Sequence, residues 1–159
     1  MAHTSIWAPG TIVQAEHPER LAESLRQGWG TSFKQREGFN WFHIPVATPS
    51  VLNNETLKLF TVFVFYRATN GPRIANVHLY DGGTMMESFD GLSLAGDHTR
   101  ETNQSVKSNM FDLRGKPAIT SGLGISVGVD FQHGGEILFT GAGGRFHTAS
   151  GLLPAFGSS

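Results

Sequence analysis

The run Leu57-Lys58-Leu59-Phe60-Thr61-Val62-Phe63-Val64-Phe65-Tyr66-Arg67-Ala68 restricts the fold more than any other part of the chain. Its aromatic and β-branched residues suit an extended strand, and its apolar part is about half of what a membrane-spanning helix needs. With side chains alternating between faces, Leu57, Leu59, Phe63 and Phe65 point one way, and Phe60, Val62, Val64 and Tyr66 the other. A strand apolar on both faces is either covered twice within the molecule or presents one face to another subunit. Phe60, Val62, Val64 and Tyr66 are therefore candidate interface residues.

Companion strands are legible on both sides. Ser5 to Ala8 and Thr11 to Glu16 are short candidates separated by Pro9-Gly10. Phe42, Ile44 and Val46 alternate with Trp41 and His43, and Pro45 limits that strand to an edge or an early end. Arg73 to Asp81 places Ala75, Val77 and Leu79 on one face and Asn76, His78 and Tyr80 on the other. Thr84 to Phe89, Ser105 to Leu113, Leu123 to Phe131 and Glu136 to Thr140 complete the set. Asn70-Gly71, Asp81-Gly82-Gly83 and Gln132-His133-Gly134-Gly135 are the turns, the last read as a hairpin. Residues 18–27 stay open. Pro18 fits a helix N1 position with Gly28 as a cap, while Leu21, Glu23, Leu25 and Gln27 alternate as in a strand. Twenty glycines and twelve phenylalanines agree with many short strands joined by tight turns. The expectation is an all-β fold over residues 1–159 as one domain. It is an antiparallel two-sheet β-sandwich of jelly-roll type, with about eight to ten strands and at most one short helix.

Composition narrows the function classes. Twelve Lys and Arg against thirteen Asp and Glu give no electrostatic pull toward nucleic acid or an anionic membrane. Without cysteine there is no disulfide, thiolate metal site or cysteine nucleophile. The seven histidines form no H-x-H or H-E-x-x-H pair, so neither metal nor cofactor is expected. No membrane-spanning run and no signal peptide is visible, which makes the cytoplasm the default location, with signal-less export left open. The sequons at Asn54 and Asn103 are read as coincidence.

Three motifs merit a reading as sites. Gly124-Ile125-Ser126-Val127-Gly128 matches G-x-S-x-G, but it lies inside an alternating strand rather than at a strand-to-helix turn. Its better reading is a bare face, Gly124, Ser126 and Gly128, that lets a loop, subunit or ligand approach the sheet. If the strands neighbour one another, Trp41, His43, Asn76, His78 and Tyr80 form a patch of aromatic rings with amide and imidazole donors. Such a patch suits sugars and other flat polar ligands. Trp29, between Gly28 and Gly30, is a further candidate for stacking on a ligand. Asp97-His98 reads as a loop pair bonded to backbone, because adjacent strand residues face opposite ways.

Several phrases together carry a resemblance. They are Arg26-Gln27-Gly28-Trp29-Gly30-Thr31-Ser32-Phe33, Asn40-Trp41-Phe42-His43-Ile44-Pro45, Val77-His78-Leu79-Tyr80-Asp81-Gly82, Phe89 to His98, Gly122 to Phe131, and Ile137 to Gly143. The combination resembles a family of small bacterial β proteins of unknown function, over most of the chain. The resemblance implies a single β domain, tilts residues 18–27 toward strand, and assigns no catalytic residue.

Three functions follow. The first is a non-catalytic module that self-assembles into a homo-oligomer or fibre through Phe60, Val62, Val64 and Tyr66 or the Gly124, Ser126, Gly128 face. The second is a lectin-like module for a glycan or small polar ligand. The third is an enzyme using histidines with Asp81, Asp90 or Asp97, for which no paired set shares a face by spacing alone.

Overall fold

A computed structural model describes residues 3–100 and 108–148. Thirteen strands form among these residues. They are β1 (His3–Pro9), β2 (Gln14–Ala15), β3 (Leu21–Gln27), β4 (Gly30–Gln35), β5 (Phe39–Val46), β6 (Val51–Leu52), β7 (Glu55–Thr69), β8 (Arg73–Asp81), β9 (Thr84–Phe89), β10 (Gly96–His98), β11 (Met110–Asp112), β12 (Leu123–Asp130) and β13 (Glu136–Thr148). Burial alternates clearly in β5 and β8. The strands pair antiparallel in two sheets. The first runs β10-β7-β13-β4-β3, with β1 also on β13 and with β11 and β6 also on β7; the second runs β2-β5-β12-β8-β9. The expected all-β two-sheet sandwich is the observed architecture.

The core lies between the sheets. Phe42, Ile44 and Val46 of β5, Leu123, Ile125, Val127 and Val129 of β12, and Val77 and Leu79 of β8 face it from the second sheet. Phe42 packs its ring 4.6 Å from Phe33 and 5.4 Å from Phe139 of the first sheet. Each such ring, fully buried, contributes about 2 to 3 kcal/mol by removal from water.

The β7–β13 ladder extends from Glu136 opposite Thr69 to Thr148 opposite Leu57. Two residues fall out of its register, Phe60 in β7 and Thr140 in β13. An extra residue in a strand reverses which face its successors occupy. Leu57 and Leu59 point inward before Phe60, and Val62, Val64, Tyr66 and Ala68 point inward after it. This corrects the interface reading: Val62, Val64 and Tyr66 are core residues and not an exposed face. Phe60 is half-buried, its ring 3.9 Å from that of His147 and 5.0 Å from Lys116 Nζ.

The outward face of β7 is also occupied. Trp7 of β1 packs its ring 5.2 Å from Phe63 and 5.4 Å from Phe65. It reaches them across Gly143, where a Cβ would stand 2.6 Å from the indole. The doubly apolar strand is thus covered twice by its own chain.

Two expected turns are crossovers between sheets. Asn70-Gly71-Pro72 carries the chain from β7 in the first sheet to β8 in the second, and Gln132 to Gly135 carries it back from β12 to β13. The reading of 132–135 as a hairpin is corrected accordingly. The crossovers pack on each other: a Cβ on Gly71 would lie 2.8 Å from the Gly134 carbonyl oxygen, and one on Gly135 would overlap Pro72. Asp81-Gly82-Gly83, by contrast, is a true hairpin turn, with Asp81 opposite Thr84.

Residues 18–20 form a short 3-10 turn, and 21–27 are the strand β3, joined to β4 by a hairpin. Sequence reading missed β4 and the second half of β13. In β8 the core residues are Ile74, Val77 and Leu79; Ala75 falls at a register shift and is not among them. Of the strand expected from Ser105, residues 105–107 lie outside the described residues.

β13 changes its second neighbour partway along, pairing with β4 through Phe139 and with β1 from Gly141. At that crossing Gly10 and Gly30 approach the Phe139 carbonyl oxygen so closely that a Cβ on either would overlap it. Gly10→Ala is therefore expected to destabilise the fold by about 3 kcal/mol or more. Gly28→Ala, with nothing within 4 Å of its Cβ position, is expected to change stability by less than about 0.5 kcal/mol. Urea denaturation midpoints of the two variants check both values.

Candidate functional site

In the second sheet the same alternation that buries one face leaves the other with mostly polar, aromatic and glycine residues. Register then aligns the outward residues in rows. Gln14 of β2 is opposite His43 of β5, His43 opposite Ser126 of β12, Ser126 opposite His78 of β8, and His78 opposite Ser88 of β9. One row has Trp41, Gly128 and Asn76 side by side, and another Pro45, Gly124, Tyr80 and Met85. The five-strand row of Gln14, His43, Ser126, His78 and Ser88 is polar throughout.

Hydrogen bonds lock this surface. His43 Nδ1 is 2.8 Å from Ser126 Oγ, and His43 Nε2 is 3.0 Å from Glu16 Oε1. His78 Nε2 is 2.8 Å from Asp90 Oδ1, which also accepts from Asn76 Nδ2 at 2.6 Å. These bonds, His78 first and Asn76 next, hold the Asp90 carboxyl below its ordinary range. Trp41 lies against His78, ring centroids 4.9 Å apart, with Phe39 edge-on behind it at 5.5 Å.

The two glycines of β12 play opposite parts. Above Gly128 the space is filled, since a Cβ there would be 2.6 Å from Phe39 Cζ and 3.1 Å from Trp41 Cη2. Above Gly124 it is open, the nearest atom being Tyr80 Cβ at 3.7 Å. The result is a depression of about 340 Å³ lined by Gln14, His43, Pro45, Tyr80, Gly124 and Ser126. Through Pro45, Gly82 and Gly124 it adjoins a second, of about 760 Å³, that reaches Ile12 and Trp7. A separate depression of about 520 Å³ at the crossover turns includes Lys34, whose ammonium is already shared between Glu23 and Glu136.

Trp41, His43, Asn76, His78 and Tyr80 thus share one face with Gly124, Ser126 and Gly128, although β5 and β8 are not neighbours but flank β12. Trp29 does not join them. It stands at the β3–β4 hairpin tip in the other sheet, 63 % exposed. Asp97 and His98 are not a loop pair but the end of strand β10, paired with Arg67 and Tyr66 of β7; Asp97 accepts from Thr99, and His98 bonds the Ala95 carbonyl oxygen. Gln14, Glu16 and Phe39 were missed, and Asp90 was named only as a carboxylate available to a histidine, not as part of the patch. No spacing rule links them to the patch, because register with distant strands places them there. Among the described residues no group of three or more His, Asp or Glu side chains is arranged to hold a metal ion. None of their helices is long and apolar enough to cross a membrane.

The family described as "Family of unknown function (DUF6623)" matches residues 1–137, and the chain belongs to it. No curated protein matches the chain. Among solved structures, it is similar to TmCBM61 in complex with β-1,4-galactotriose, at 13% identity and TM-score 0.43, covering 88% of this chain and 87% of that one. It is also similar to a family two carbohydrate esterase from Cellvibrio japonicus, at 10% identity and TM-score 0.40, covering 97% of this chain and 36% of that one. A third likeness is to the exo-β-1,3-galactanase Pc1,3Gal43A from Phanerochaete chrysosporium with galactose, at 14% identity and TM-score 0.36, covering 91% and 29%. The chain spans about a third of the length of these last two.

The rim of the depression is pinned by one carboxylate. Asp81 accepts from the Thr120 amide and hydroxyl and from the amides of Ser121 and Gly122, at 2.7 to 3.1 Å. Desolvation pushes its carboxyl upward, but the bonds from Ser121, Thr120 and Gly122 outweigh it and hold the group at about 2. Because the folded value is depressed, the anchoring is complete above about pH 4 and is lost as pH falls through about 2. Amide exchange of Ser121 and Gly122, taken relative to the intrinsic rate at each pH, is expected to accelerate over that interval. In Asp81→Asn it should be fast already at neutral pH.

Proposed function

We propose that the chain is a binding module for a carbohydrate, held on the outer face of the second sheet. The open floor at Gly124, set between Pro45 and Tyr80 and bordered by Gln14, His43 and Ser126, carries this reading. A sugar ring offers an apolar C–H face and a rim of hydroxyls that both donate and accept. Tyr80 and Pro45 supply apolar surface, while amide, imidazole and hydroxyl groups beside them supply both kinds of hydrogen-bonding partner. Neither a charged ligand nor a metal bridge is needed. The junction of the two depressions suits a ligand longer than one ring, running from Ser126 over Gly124 toward Trp7.

Gly124 separates binding from folding. Its backbone is ordinary strand and its Cβ position is free, so Gly124→Leu should leave the melting temperature unchanged within about 2 °C while filling the depression. In affinity electrophoresis against a panel of soluble polysaccharides, the wild type should be retarded by at least one of them. Gly124→Leu should weaken that binding at least tenfold, about 1.4 kcal/mol. Retardation that survives Gly124→Leu would place the ligand elsewhere, and no retardation by any glycan would remove the carbohydrate reading.

A further inference from the structure

Ser126 stands between two imidazole–carboxylate pairs. On one side Glu16, His43 and Ser126 form a continuous bonded chain, with Glu16 Oε1 to His43 Nε2 at 3.0 Å and His43 Nδ1 to Ser126 Oγ at 2.8 Å. On the other, His78, the register partner of Ser126 in β8, is bonded to Asp90. An ionised carboxylate can only accept, so a neutral His43 carries its proton on Nε2 and offers the Nδ1 lone pair. The Ser126 hydroxyl therefore donates to Nδ1. That direction is what a serine needs in order to surrender its proton while attacking an electrophile.

We propose that Ser126 is a nucleophile that accepts an acyl group from an ester bound in the depression, with His43 as its general base and Glu16 as the residue that fixes the His43 tautomer. The Ser126 Oγ attacks the ester carbonyl carbon, and its proton passes to His43 Nδ1. Collapse of the tetrahedral intermediate breaks the bond to the alkoxy oxygen, which leaves as an alcohol with that proton. Water then adds to the acyl-serine, giving a proton to His43. The Oγ–acyl bond breaks, Ser126 regains its proton, and a carboxylic acid departs. The developing oxyanion is served by side chains, since the Ser126 strand is paired on both edges and its backbone lies in the ladders. Gln14 and Tyr80, which line the same depression, are the residues with donors to offer it. The residue is only 7 % exposed, and what is exposed of it opens into that depression. The G-x-S-x-G match is incidental to this assignment; the base comes from β5, 83 residues away.

The natural ester would be borne by the ligand of the preceding section, but the test needs no glycan. The wild type is incubated with 4-nitrophenyl acetate and, separately, with an aryl fluorophosphonate, then followed by nitrophenolate release, intact mass and peptide mapping. The expected result is one adduct per chain on the peptide containing Ser126, absent in Ser126→Ala. His43→Gln should form it about 100-fold more slowly. Glu16→Gln should slow it about tenfold, while Glu16→Asp retains most of the rate, and melting temperatures of all four variants identify any that fail to fold. Absence of an adduct on Ser126, an adduct only on lysines, or a rate unchanged in folded His43→Gln would overturn the proposal. Glycan retardation without acylation would overturn this inference and leave the binding reading standing; acylation without retardation would do the reverse.

Discussion

The pairing of β7 with β13 is the constraint on which the molecule depends. These are the longest strands, and both edges of each are used: β10, β11 and β6 attach to the far edge of β7, and β4 and β1 share the far edge of β13. The ladder includes one unmatched residue in each strand, Phe60 and Thr140. Those two bulges decide which apolar side chains meet the second sheet and which meet Trp7. Without the bulge at Phe60, Leu57 and Leu59 would lie on one face of β7 and Val62, Val64 and Tyr66 on the other, and both sets could not share the core. The first sheet therefore owes its two covered faces to local irregularity as much as to hydrophobic pattern.

The second sheet has register shifts too, at Ala75 of β8 and Met86 of β9, but β12 stays in register with β5 throughout and with β8 from Leu123 to Gly128, and the candidate site is a product of that unbroken stretch. Through β5, β12 and β8 the registers keep Ile125 between Ile44 and Leu79, and Ser126 between His43 and His78. One side of each row is aliphatic and buried. The other is polar, bonded and open, because its central strand has glycine or serine where a bulky residue could stand. Rigidity follows, since the side chains that border the depression rise from the middle of a paired sheet rather than from loops. The loop at its rim is tied to the sheet by Asp81.

Much of the fold could be read from the sequence, and what escaped has physical causes. Strong alternation marked β5, β8 and β12 and placed Phe42, Ile44, Val77, Leu79 and Ile125 correctly. It failed at Phe60, where a bulge leaves no trace in hydrophobicity. It failed too at Gln132 to Gly135, where a crossover between sheets has the same turn residues as a hairpin. β4 went unseen because Thr31 and Gln35 are buried polar residues, Thr31 bonding the Gly10 carbonyl oxygen and Gln35 the Glu37 carbonyl oxygen. At the site, the aromatic and imidazole patch was read on the condition that β5 and β8 were neighbours; β12 lies between them, and the patch forms across its glycine and serine residues. Glu16 was not legible, because only non-local register brings it to His43, and Asp90 was legible as a carboxylate for a histidine but not as the partner of His78. Trp29 was misplaced for the same reason: local composition shows an exposed ring but not which sheet carries it.

The position of β13 has a consequence for how the chain acquires its shape. It is the last described strand in the sequence, yet it occupies the middle of the first sheet, with β7 on one side and β4 and β1 on the other. Until it is in place, strands made earlier have a vacant slot between them, and their inner edges carry unpaired amides and carbonyls. His3 finds its partner only at His147. Closure over such separations makes folding slow, and during synthesis on the ribosome the first sheet stays open until nearly all of these residues have emerged. The second sheet, whose strands all precede β13, is free to assemble first.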